Sequence, residues 1–152
     1  MTSPGELEPI DKAIVRELAS EGRCSFTDLA ERVGLSVSAV HQRVRRLEQR
    51  GVIRGYSARL DAQSIGLPLT ALISLTPIDP AAPDDYPQRL EHISEIESCY
   101  SVAGDESYVL LVRVGSPLGL EELLRKIRES AKVSTRTTVV LSTPYEGRSP
   151  SL

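Results

Sequence analysis

Six arginines, Arg43, Arg45, Arg46, Arg50, Arg54 and Arg59, fall between His41 and Arg59 against a single acid, Glu48. A guanidinium is always charged and offers five N–H donors, so a cluster of them suits phosphate oxygens and base edges. Most of the cluster sits in the stretch Ser36–Gly51, which reads as a helix. At about 100° per residue Val37, Val40, Val44 and Leu47 share one narrow face, which must be buried. The opposite face carries Ser38, Ala39, Gln42, Arg45, Arg46 and Gln49, with hardly an acid among them. Ser36 is a good N-cap and Gly51 can take the left-handed turn that ends the helix. For a helix in the major groove, Ser38, Ala39, Gln42 and Arg43 lie nearest the bases, and Arg45, Arg46 and Arg50 nearer the phosphates. The expected DNA-facing set is Ser36, Ser38, Ala39, Gln42, Arg43, Arg45, Arg46, Arg50 and Arg54, with Arg59 as a further phosphate contact. A solvated basic face used for protein contacts is the alternative reading.

A second group capable of chemistry is Gly104-Asp105-Glu106-Ser107-Tyr108. Backbone N–H groups of a glycine-bearing turn can hold a carboxylate, while Asp105 or Glu106 can meet an ammonium group. Together they would suit a zwitterionic amino acid. Gly-Asp is also an ordinary hairpin turn signal. Thr135, Thr137 and Thr138 can line the same region, although β-propensity explains them equally well.

No catalytic constellation is legible. The two histidines lack a Ser, Cys or carboxylate at suggestive spacing, and neither a nucleophile elbow nor a phosphate loop is present. Cys24 and Cys99 show neither disulfide-framework nor metal-site spacing and read as small packed residues. The expectation is a protein that is not an enzyme, with no cofactor and no metal.

These groups need elements to position them. Ile10, Ile14 and Leu18 predict a helix ending near Gly22, Ser25 caps a second around Leu29, Ala30 and Val33, and Gly34 turns the chain into the third. That is a helix-turn-helix. Residues 52–60 are β-prone and read as a wing-like strand or linker. Gly66 and Pro68 punctuate a hinge. Beyond it come a strand from Leu69 to Thr76, a helix from Asp84 to Ile93, and a strand from Ile96 to Val102. A hairpin partner from Ser107 to Val114, a helix through Leu120, Leu123, Leu124, Ile127 and Ala131, and a strand from Thr137 to Leu141 complete the series. The fold class is therefore α+β: an N-terminal (winged) helix-turn-helix domain over 1–60, a linker over 61–68, and a ferredoxin-like βαββαβ sandwich over 69–152. Apolar residues on both faces of the sheet predict self-association, a dimer at least.

Composition agrees with two small globular domains. The net charge of −3 hides a split: residues 1–60 hold ten Lys/Arg and eight Asp/Glu, the remainder eight and thirteen. The local basic patch decides DNA affinity. No apolar run approaches the roughly 20 residues that span a bilayer, and residues 1–9 read as a polar arm without a signal pattern, so a cytoplasmic location is expected.

Asp11–Leu18, Leu29–Ser36 and Val44–Ile53, followed by Tyr56, Leu60, Gly66 and the hairpin Val102–Leu110, resemble the Lrp/AsnC family of feast/famine transcription regulators over about residues 10–143. The resemblance implies double-stranded DNA as partner and a homodimer formed through the ferredoxin-like domain. It further implies assembly into rings, commonly octamers, and an amino-acid effector held between dimers. By position it implies Gly104, Asp105, Glu106, Ser107 and Tyr108 as effector-binding residues, with Tyr100 and Thr137 as neighbours. Ser107 stands where many members carry a second Asp.

Overall fold

The computed structural model describes residues 6–152. Of the arm expected over residues 1–9, residues 1–5 lie outside the described residues. The chain divides into two compact units, one comprising residues up to Arg59 together with Tyr145–Leu152, the other Leu60–Pro144. The division thus falls ahead of the expected linker at 61–68, and residues 145–152 join the first unit where the sequence suggested the second. Hydrogen bonds from Arg16, Arg59 and Ser149 hold them there.

In the first unit, helices α1 (Pro9–Ser20), α2 (Phe26–Val33) and α3 (Val37–Gln49) bury Ile14, Leu29, Ala30, Val40, Val44 and Leu47 in one core. α2 starts where Ser25 Oγ accepts from the Asp28 backbone N–H at 3.0 Å and donates to its carboxylate at 2.6 Å, a side-chain N-cap braced by the acid three residues on. Gly34, at φ +70°, turns the chain so that the Leu35 N–H reaches Ala30 O. A side chain at that φ would be strained. Ser36 caps α3 through its hydroxyl, which accepts from Ala39 N–H at 3.2 Å, and Gly51 closes it at φ +69°.

One expectation fails here, and one pair of alternatives is resolved. Val37 is 46% exposed, because at the first helical position it lies before the turn at which α3 meets the core. Of the two readings of residues 52–60, the strand is absent and the segment runs as irregular chain: β-prone residues need a neighbouring segment to ladder with, and none pairs with this one.

The second unit has the expected order: β1 (Leu69–Pro77), α4 (Tyr86–Leu90), β2 (Ile96–Ser101), β3 (Tyr108–Val114), α5 (Pro117–Ala131) and β4 (Val133–Val139). Its four strands lie in the order β2-β3-β1-β4, with every pair antiparallel. Two boundaries shift. α4 is shorter than expected, ended by a turn in which the Ile93 N–H bonds Leu90 O, although both apolar side chains are buried as their spacing requires. β4 begins at Val133, not Thr137, because Lys132 adopts the left-handed conformation (φ 55°) and sends α5 directly into the strand. Residues 61–67 form a tight turn. Asp61 accepts from the Ser64 N–H and hydroxyl at 2.7 and 2.6 Å, and these bonds hold its carboxyl below the usual range.

Alternation along the strands sorts the sheet into two faces. Ala71, Ile73, Leu75, Leu110, Val112 and Val133 pack beneath α4 and α5 with Leu123 and Ile127. On the other face Leu72 pairs with Leu111, and Ser74 with Val109, which in turn pairs with Tyr100. Leu72 is 37% and Tyr100 53% exposed. Among the described residues of this unit, no helix packs on this face.

Candidate nucleic-acid interface and effector loop

Burial of Val40, Val44 and Leu47 fixes the rotation of α3 about its axis and so turns the opposite side outward. Ser38, Gln42, Arg45, Arg46 and Gln49 are exposed there and Ala39 is half-buried. Ser36 Oγ, besides capping the helix, lies 3.3 Å from Ser38 Oγ. Arg45, Arg46, Arg50 and Arg54 are exposed, and among the described residues none of their side chains pairs with a carboxylate. The lone acid of the run is occupied: the Tyr56 hydroxyl donates to Glu48 Oε1 at 3.0 Å. Burial, reinforced by that carboxylate, pushes the Tyr56 phenol up to about 12.

Arg43 departs from its expected place near the bases. Its Nη1 donates to Asp11 Oδ1 at 2.8 Å and to Glu8 Oε2 at 2.9 Å, and Asp11 is buried. The Asp11 bond, then the Glu8 bond, raises the guanidinium's pKa. Arg43 thus clamps α3 to α1, facing inward while Arg45 and Arg46 face out. Its position on the flank of the helix left both directions open, and its partners lie 32 and 35 residues away in sequence. His41, on the other flank, meets Phe26 edge-on at 5.0 Å.

In the second unit, the loop joining β2 and β3 is tied at its end. The Val102 N–H donates to Ser107 O at 3.1 Å and the Ser107 N–H to Leu75 O at 2.9 Å. Gly104 stands at φ +152°, a backbone conformation that branched residues resist. A Cβ there would have only Glu106 Oε2, at 4.0 Å, as a neighbour. The demand for glycine is conformational, not spatial.

The residues expected around this loop do not all converge. Gly104, Asp105, Glu106 and Ser107 form it, and Tyr100 lies on the open face of the sheet. Tyr108 belongs elsewhere. Its ring is buried edge-on to Tyr86 at 6.0 Å, and its hydroxyl donates to Asp84 Oδ1 at 2.9 Å, which, with burial, raises its pKa. Thr137 pairs with Ile73, on the helix-covered face opposite Tyr100. The alternation of side chains along β3 and β4 separates them.

One residue was missed. Arg136 of β4, across from Ser74, forms an ion pair with Glu106. No local pattern links positions 30 apart in sequence; only the strand order brings them together. The loop therefore brings the Asp105 and Glu106 carboxylates and the Arg136 guanidinium into one region, charges of both signs of the kind a zwitterion needs. Among the described residues no group of three or more His, Cys, Asp or Glu is arranged to hold a metal ion, and no helix is long and apolar enough to cross a membrane.

Comparison with known proteins fits both units. Residues 7–54 match the winged helix-turn-helix DNA-binding family and residues 70–150 the Lrp/AsnC ligand binding domain. The HTH-type transcriptional regulator LrpA of Mycobacterium tuberculosis is 59% identical over 142 residues, covering 93% of this chain and 95% of that protein. The leucine-responsive regulatory protein of Escherichia coli K12 is 37% identical over 144 residues, covering 91% and 87%. Among solved structures, the feast or famine regulatory protein of M. tuberculosis complexed with L-methionine superposes with a TM-score of 0.93 at 58% identity, covering 95% of this chain and 99% of that one. A transcriptional regulator of Neisseria meningitidis, also in complex with L-methionine, gives 0.85 at 26% identity, covering 93% and 94%. A helix-turn-helix with an outward arginine face, joined to a βαββαβ ligand-binding unit and matched over nearly its whole length, makes this chain a DNA-binding transcriptional regulator of the Lrp/AsnC family.

Proposed function

We propose that this regulator reads duplex DNA with the outer side of α3, pairs with a second copy through the open face of its sheet, and assembles from dimers to an octamer. Its effector is a small amino acid with an apolar side chain, methionine being the first candidate, bound at the Gly104–Ser107 loop. The observation that carries the DNA reading is the exposure of Arg45 and Arg46 on the side of α3 opposite Val40, Val44 and Leu47. Ser38, Ala39 and Gln42 stand nearest the bases, and Arg45, Arg46, Arg50 and Arg54 neutralise phosphates, with Ser36 at the head of the helix. Leu72, Val109, Leu111 and Tyr100 support self-association, since a sheet face of this kind is covered by a like face in symmetric dimers. For the effector, the support is the chemistry of the loop with Glu106 and Arg136, and the methionine carried by two solved relatives.

The test reverses two charges. Arg45→Glu with Arg46→Glu abolishes duplex binding in a mobility-shift or anisotropy assay while the far-ultraviolet spectrum stays that of the unaltered protein. Undiminished binding would remove α3 from the interface.

A further inference from the structure

The segment Tyr145–Leu152 contains no helix or strand, yet it is anchored to the DNA-binding unit at three places. Arg59 Nη2 donates to Glu146 O at 2.5 Å and to Gly147 O at 3.1 Å. Ser149 Oγ donates to Ala19 O at 3.0 Å, near the end of α1. Arg16 Nη2, on α1, donates to Leu152 O at 2.7 Å. Between the anchors the Arg148 guanidinium lies 3.9 Å above the Tyr145 ring, a favourable cation–π distance. Gly147 adopts φ +57°, and a Cβ placed there would come within 2.8 Å of Arg59 Nη2. Glycine thus lets the chain take this turn without strain and leaves the guanidinium where the carbonyls close around it; a branched residue would bring both the strain and the contact.

Arg59 is the last cation of the basic run that begins on α3. Carbonyl oxygens and phosphate oxygens compete for the same N–H donors, and a charged acceptor forms the stronger bond. Here the donors of Nη2 face the protein's own backbone. We propose that Tyr145–Leu152 is an autoinhibitory strap: its carbonyls hold Arg59 away from DNA, and its release adds one phosphate contact to the interface.

Two measurements test this on the full chain with a mixed-sequence duplex. Gly147→Val breaks the closure, because a branched residue resists φ +57° and its Cβ meets Arg59. It raises duplex affinity several-fold and steepens the fall of log affinity with log salt by about 0.9, the increment for one phosphate. Arg59→Gln added to Gly147→Val removes both gains. Unchanged affinity and slope in Gly147→Val, or gains that survive Arg59→Gln, would overturn the strap. In the unaltered protein, duplex accelerates tryptic cleavage after Arg148, and equal or slower cleavage contradicts release. The inference rests on duplex binding by the helix-turn-helix unit. Failure of the unaltered chain to bind any duplex breaks that reading, whereas an unaltered salt slope in Gly147→Val breaks the strap alone.

Discussion

The outer face of α3 and the Gly104–Ser107 loop differ in how far along the chain their parts must come to meet. On α3 every exposed group sits within two or three helical turns, and one buried stripe orients them all. Around the loop, Glu106 finds Arg136 from another strand, while Tyr108 and Thr137, adjacent in expectation, lie on the helix-covered face away from Tyr100. A site carried on one helix is decided by rotation about one axis. A site at a sheet edge is decided by register and by which face each residue takes, and a shift of one residue reverses the answer.

The largest effect is expected at the loop. Gly104→Val abolishes binding of L-methionine in calorimetry, because the backbone at φ +152° is closed to a branched residue and the loop must move, carrying Glu106 with it. Affinity equal to that of the unaltered protein would place the effector elsewhere. A smaller effect is expected at Arg43. Arg43→Ala leaves buried Asp11 without its partner and lowers stability by about 1–3 kcal/mol in denaturant unfolding. Unchanged stability would return Arg43 to the DNA face. Smallest is Tyr108→Phe, which loses the bond to Asp84, lowers stability by about 0.5–1.5 kcal/mol and leaves methionine affinity unchanged. Loss of methionine binding in that variant would restore Tyr108 to the effector site.

The legible parts of the chain were those with local causes. Ser25, Gly34, Ser36 and Gly51 punctuate the helices as their chemistry dictates, and the apolar spacing of α5 and the alternation of β1 and β3 produced the βαββαβ order. Most of what escaped had distant causes. Arg43 was drawn inward by Asp11 on another helix and by Glu8 just ahead of it, and the choice between strand and linker for residues 52–60 turned on the want of a pairing partner. Residues 145–152 were claimed by Arg16 and Arg59, whose bonds span 136 and about 87 residues. β4 began early because Lys132 took a conformation that its residue type does not advertise.

Salt dependence of duplex binding separates the arginines most directly. We predict that Arg45→Ala with Arg46→Ala flattens the slope of log affinity against log salt by about 1.8, the increment for two phosphates, while Arg43→Ala leaves the slope where it was. A slope that flattens for Arg43→Ala and holds for the double variant would contradict the orientation of α3 from which the account is built.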